Sequence, residues 1–241
     1  MEPLLVLFDV DGTLVDTAGA GRLAIESAFE QVHGVDPRTR RRDGVRYAGM
    51  TDPVIFRNLG DALGVGETRQ RELWTQLLDV YLLALKREMG RDDPRRRVLP
   101  GVPELLKALS LRPEVYLGLL TGNIEAGARI KLEPFDLNRY FSGGGFASDH
   151  PDRPEIARLA RDKLSRSFEV QFPADRVAVI GDTEHDVTCA RANGFRAIAV
   201  ESGWVPREDL ERSRPDALFT DLSDLPAALS ALGVDGEQHR S

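Results

Sequence analysis

The stretch Leu4 to Thr17, Leu-Leu-Val-Leu-Phe-Asp-Val-Asp-Gly-Thr-Leu-Val-Asp-Thr, constrains this chain more than any other. Leu4 to Phe8 is an unbroken apolar run of strand length, the pattern of a central strand covered on both faces. It stops at Asp9, with Asp11 two residues on, then Gly12 for a tight turn and the hydroxyl of Thr13 beside the acids. If strand geometry continues that far, a period of two puts both carboxylates on one side. Acidic residues at the C-terminal end of a buried strand lie where open α/β sheets bind ligands. A strand merely ending in a polar turn also gives Asp-x-Asp, but the apolar run followed by Gly-Thr speaks against that reading.

Length and charge narrow the setting. The chain's 241 residues suit one large domain or two smaller ones. A net charge of −7 argues against a general nucleic-acid binder. Cys189 is the only cysteine, so neither an intrachain disulfide nor a cysteine-based zinc site is available. No apolar run approaches membrane-spanning length, and Met1-Glu2-Pro3 leads straight into the first strand without a basic leader. A cytoplasmic protein without membrane or nucleic-acid partners is expected.

From Ala18 to about Pro94 the pattern is helical, with apolar stripes at Ile25, Phe29 and Val32, at Ile55, Leu59 and Leu63, and at Leu73, Leu77, Tyr81 and Ala84. Thr51-Asp52-Pro53 reads as a helix start, with Asp52 at the cap and proline at the first helical position. A helical block directly after the first strand is most simply an inserted domain, residues 18–94. The charged segment Met89 to Arg97 reads as a solvated linker. From Pro100-Gly101 onward helix and strand alternate. Strands are expected at Val115 to Leu120, Val177 to Ile180, Arg196 to Val200 and Ala217 to Phe219, with a glycine-rich strand or loop at Phe141 to Ala147. Helices are expected at Val102 to Leu109, Ile124 to Leu132, Pro154 to Leu164, after Asp182, and at Leu225 to Leu232. Repeated strand–helix units mean a doubly wound parallel sheet, an α/β Rossmann-like core formed by residues 1–17 and 95–241. The tail from Gly233 is expected to fray.

Two further strand ends carry chemistry. Thr121-Gly122-Asn123 places a hydroxyl and backbone amides before a helix, suited to a phosphoryl oxygen, although Thr-Gly-Asn is also an ordinary turn and cap. Gly181-Asp182-Thr183-Glu184-His185-Asp186 follows the strand at Val177. Magnesium takes oxygen ligands, usually one or two carboxylates, and Asp9 with Asp182 from two neighbouring strand ends would supply that pair. Asp182 as a simple helix cap is the bland alternative. Cys189 reads as a packed thiol, and the four scattered histidines lack metal-ligand spacing.

In order and spacing these motifs resemble the haloacid dehalogenase superfamily of phosphatases and related hydrolases, and the overall layout is most like the phosphoglycolate phosphatases. The resemblance implies an all-helical cap inserted after the first motif. It implies that Asp9 is the nucleophile and forms an aspartyl-phosphate, and that Asp11 is the acid–base group. It further implies that the Asp11 backbone carbonyl joins Asp9 and Asp182 on Mg²⁺, with Thr13 and Asp186 in support. The superfamily commonly carries a lysine after the strand preceding the Pro154 helix. This chain has none there, and Arg153 before Pro154 is the match, since a guanidinium can hold phosphate through two hydrogen bonds. Lys131 and Lys163, on helices away from a strand end, are poorer matches.

The expected activity is Mg²⁺-dependent hydrolysis of a small phosphorylated metabolite, with Thr121, Gly122, Asn123 and Arg153 on the phosphate. Haloacid dehalogenases of the same superfamily do not resemble this chain at Asp11, because a halide leaving group needs no proton. Sugar-phosphate mutases carry a basic residue near the place of Asp52. A phosphate-binding or signalling protein is the non-enzymatic alternative. Receiver domains, phosphorylated on an aspartate, are about half this length and lack the Asp-x-Asp-Gly-Thr after strand one.

Overall fold

The computed structural model describes residues 2–39 and 45–234. Strand β1 (Leu4–Phe8) lies in the middle of a six-stranded parallel sheet. Its other strands are β4 (Val115–Leu120), β5 (Gly144–Gly145), β6 (Val177–Gly181), β7 (Arg196–Val200) and β8 (Ala217–Phe219). The sheet order is β5-β4-β1-β6-β7-β8. From β1 the chain builds outward through β4 and β5, then crosses back to lay β6, β7 and β8 on the other side. The ends of β1 and β6 therefore flank the point where the winding reverses, the crevice in which open α/β sheets place ligands.

The apolar run at β1 is explained by its two covered faces. Leu4, Val6 and Phe8 join one buried cluster with helices α5 (Val102–Ser110), α6 (Glu125–Leu132) and α10 (Leu225–Ala231). Leu5 and Leu7 join the opposite cluster with α7 (Arg153–Phe168), α8 (Glu184–Ala192) and α9 (Arg207–Ser213). Alternation along the strand splits its side chains between two helical layers, and each fully buried one contributes about 1.5–3 kcal/mol.

Two short strands, β2 (Val15–Asp16) and β3 (Arg97–Val98), pair antiparallel, and among the described residues between them fall four helices. These are α1 (Ala20–His33), α2 (Asp52–Leu63), α3 (Glu67–Glu72) and α4 (Trp74–Met89). The three stripes read from the sequence converge in one apolar cluster, around Phe29, Phe56, Tyr81 and Leu85, which Ile124, Ile130 and Ala147 also enter.

Some boundaries differ from the sequence reading, each for a local reason. Helix α3 buries no residue and so leaves no stripe to read. Helix α2 begins at Asp52 and not after it, with no side-chain cap at Thr51, and the Asp52 carboxylate is engaged elsewhere. Helix α7 runs on to Phe168, whose ring packs 4.9 Å from that of Tyr116. The segment around Gly90–Arg97 is not simply solvated. The Arg96 guanidinium donates to the carbonyls of Thr17 (3.3 Å), Met89 (3.1 Å) and Arg91 (2.6 Å), tying the two crossings together. At the far end Val234 is still packed, its N–H donating to Leu229 O, so fraying does not begin at Gly233; residues 235–241 lie outside the described residues. No helix among the described residues is long and apolar enough to cross a membrane.

Candidate active site

The strand ladder carries one residue past β1. Asp9 N–H donates to Ile180 O at 2.9 Å, which fixes Asp9 beside the end of β6. The chain then turns: Gly12 N–H donates to Val15 O, and both Leu14 and Val15 donate to Val10 O. Strand geometry thus ends before Asp11, and the two carboxylates take different directions within one cavity of about 670 Å³. Gly12 has φ +81°, and a Cβ there would run into the Asp182 carboxylate, so the turn requires glycine on both counts.

Asp9, Asp182 and Asp186 form one cluster, all buried, with a carboxylate oxygen of each within 4.8 Å of the others. The cation among them is Arg153, the first residue of α7, only 8% exposed. It donates to Asp186 and lies 3.6 Å from Asp9. Burial opposes its charge, but Asp186 and Asp9 outweigh that and hold it firmly protonated. Asp186 is fully used: one oxygen accepts from Arg153, and the other accepts from the Thr183 N–H (3.1 Å) and hydroxyl (2.7 Å), closing the cap of α8. Asp182 differs. Its Oδ1 is buried without a hydrogen-bond partner. Burial raises the pKa of Asp182 and of Asp9, reinforced by each cluster's neighbouring carboxylates and only partly opposed by Arg153.

Among the described residues three acids stand against one guanidinium, and a buried carboxylate oxygen is orphaned, a donor set that suits a hard divalent cation. Thr13 lies buried nearby in sequence with its hydroxyl also unpartnered.

Asp11 points elsewhere. Its Oδ2 accepts from Lys131 Nζ at 2.5 Å and from the Asn123 amide at 2.8 Å, while Oδ1 has only the Thr17 hydroxyl at 3.3 Å. Burial works against the charge on Asp11, but Lys131 outweighs it and holds the carboxyl below its usual range. Asn123 closes the network: its carbonyl accepts from Lys131 at 2.6 Å and its amide also donates to Thr121 Oγ1 at 2.8 Å. The Thr121-Gly122-Asn123 turn therefore lines the cavity as the sequence suggests, but the Asn123 side chain serves Asp11.

Sequence reasoning passed over two residues here. Lys131, set aside as a helix residue, is 4% exposed and sits in the cavity wall. The available signal was its face: Ile124, Ala128 and Lys131 recur at helical spacing, and the other two are buried. Asp52 is the second. Its carboxylate crosses from α2 to accept the Ile124 N–H at 2.9 Å, so the helical block supplies a cap to α6, and Tyr81 donates to it at 3.4 Å. Burial pushes Asp52 up to about 6. Cys189 is a packed thiol, as its helix position implies, with burial raising it to about 12.

This fold and cluster define a class: the chain belongs to the haloacid dehalogenase-like hydrolases, whose family model matches residues 6–200. Within that superfamily it is a phosphoric monoester hydrolase similar to the phosphoglycolate phosphatases. It is 31% identical over 227 residues to a phosphoglycolate phosphatase of Synechococcus elongatus, covering 94% of this chain and 97% of that one. A phosphoglycolate phosphatase of Agrobacterium fabrum is 30% identical over 232 residues, covering 93% and 91%. The crystal structure of a predicted phosphoglycolate phosphatase from Haemophilus somnus shares the fold, with a TM-score of 0.70 at 19% identity, covering 95% of this chain and 98% of that chain.

Proposed function

We propose that this protein hydrolyses a small-molecule phosphate monoester with Mg²⁺ through an aspartyl-phosphate on Asp9. The observation that carries the reading is the buried Asp9–Asp182–Asp186 cluster, which among the described residues has Arg153 as its one direct cationic partner and holds an unpartnered Asp182 oxygen. The residues that would hold Mg²⁺ are Asp9, Asp182 and the Asp11 backbone carbonyl, with Asp186 held back by Arg153 and Thr183. When bound, the ion supplies positive charge against the repulsion between a carboxylate and a phosphate dianion.

The rest falls to this chain's own groups. An Asp9 oxygen attacks phosphorus in line with the departing ester oxygen, and Arg153 and the Thr121 hydroxyl steady the phosphoryl oxygens. Asp11, clear of the acid cluster, carries the proton to the leaving oxygen and takes one from the water that hydrolyses the aspartyl-phosphate. A haloalkane substrate would leave Asp11 without a task. Residues 18–94 serve as a cap over the cavity, with Asp52 as a contact to the core, and close over the substrate. The substrate comes from the pool of small phosphorylated metabolites in the cytoplasm, and phosphoglycolate is the first to test.

A panel of phosphate monoesters, assayed with Mg²⁺ and with chelator, tests this. Phosphate release should require Mg²⁺, and the ion should raise the unfolding temperature of the wild type but not of Asp182→Asn. Full activity in chelator, or chloride release from a haloacid in place of phosphate release, contradicts the reading.

A further inference from the structure

We infer that Lys131 is a positioning residue for the acid–base group, acting through Asp11 and not on the phosphate. The inference rests on the role given to Asp11 above. The geometry is one-sided. Lys131 and Asn123 both donate to Oδ2 of Asp11, at 2.5 and 2.8 Å, while Oδ1 has only a 3.3 Å contact with the Thr17 hydroxyl. Two strong donors fix the plane of the carboxylate and leave the other oxygen to exchange a proton. During phosphoryl transfer the proton on Oδ1 passes to the ester oxygen as its bond to phosphorus breaks. In the second step Oδ1 takes a proton from water as the water oxygen bonds to phosphorus.

Lys131 is itself tightly placed, being buried and bonded also to the Asn123 carbonyl at 2.6 Å. The helical block makes room for it. Gly21 in α1 faces the ammonium, and a Cβ there would lie 2.9 Å from Nζ and 3.1 Å from Cε, with no other atom among its near neighbours. Glycine is a poorer helix former than alanine, and here it leaves the lysine its path to Asp11. Arg153 already provides the cation beside Asp9. Lys131 is therefore not a second phosphate clamp.

The test uses leaving groups that differ in their need for a proton. Phenyl phosphate expels a phenol with a pKa of about 10, whereas 2,4-dinitrophenyl phosphate releases a stable anion without help. Lys131→Met should lower kcat/KM roughly 30-fold or more for the phenyl ester but less than about threefold for the dinitrophenyl ester. Lys131→Arg should return part of the phenyl rate. In an Asp11→Asn background Lys131→Met should add less than about threefold, because its partner is already gone. Gly21→Ala, which favours the helix but crowds Nζ, should show the same ester selectivity in milder form and guards against a folding defect in Lys131→Met.

Equal losses on both esters, or a full additional loss in the Asp11→Asn background, would overturn the inference and place Lys131 on the phosphate or in the scaffold. If Asp11→Asn is inactive on the phenyl ester but Lys131→Met is unimpaired, only this inference fails. If Asp11→Asn keeps full activity on that ester, the acid–base role of Asp11 fails and the inference falls with it.

Discussion

Two charge clusters face the same cavity, one wholly buried and one with Asp11 half-exposed, and they are built on opposite plans. The one past the C-terminal ends of β1 and β6 sets Asp9, Asp182 and Asp186 against Arg153 and leaves a carboxylate oxygen without a partner. The one in the cavity wall sets Asp11 and Asp52 around Lys131, and each of those acids has donors. The first is incomplete in its hydrogen bonds, with Asp182 Oδ1 unpartnered. The second is complete and needs nothing added. The two plans differ in where hydrogen bonds are spent: Asp182 keeps an unpartnered oxygen, while Asp11 and Asp52 are held by donors.

The largest expected effect lies in the incomplete cluster. Asp9→Asn should cut turnover by roughly 10³-fold or more, as removal of a nucleophile does. Steady-state phosphate release measures it, and near-normal turnover would end the covalent mechanism. Next comes the guanidinium. Arg153→Ala should lower kcat/KM about 10²-fold, and without metal it should also destabilise the fold by roughly 3 kcal/mol by leaving buried acids unpaired. Arg153→Lys should recover part of the rate. Arg166, an exposed residue farther along α7, serves as control, and Arg166→Ala should be nearly silent. Matching losses at the two positions would mean the phosphate-facing cation is misplaced.

The smallest effect belongs to the complete cluster and appears in stability. Folding raises the Asp52 pKa from its ordinary value to about 6, so the folded state keeps a proton that the unfolded chain has already released. Stability from this group is therefore present below about pH 4 and is lost as pH rises through about 6. Asp52→Asn retains an oxygen for the Ile124 N–H and removes the charge. It should be more stable than wild type by about 1–2 kcal/mol at pH 8, with the difference vanishing near pH 4. Chemical denaturation at the two pH values decides it, and a constant difference would mean that Asp52 does not titrate in this window.

What the sequence disclosed about these clusters follows from range. Asp9, Asp11 and Asp182 are legible because each follows an apolar run whose end is marked in the chain itself. Arg153 is legible because Pro154 marks the start of its helix. Phosphatase membership of the superfamily follows from those motifs together. Lys131 is not legible in this way, since its partner Asp11 lies 120 residues away and nothing local to α6 announces it. Asp52 misleads for the same reason. Asp-Pro reads as a cap for its own helix, while the carboxylate caps a helix 72 residues downstream. The strand-geometry argument for Asp9 and Asp11 fails at one residue, where the turn closed by Gly12 begins.

The place of β1 in the sheet also bears on how the protein is made. Its two neighbours are β4, beginning at Val115, and β6, beginning at Val177. At translation speeds of about 5–20 residues per second, β6 leaves the ribosome on the order of ten to thirty seconds after β1. For that interval Leu4 to Phe8, five consecutive apolar residues with two unpaired edges, has no native partner on one side, and for much of it on neither. The helices α1 to α4 are short-range and emerge meanwhile, so they can form while the strand that leads into Asp9 waits. Nascent chains stalled before Val177 should consequently be the aggregation-prone species, and the ones a chaperone holds.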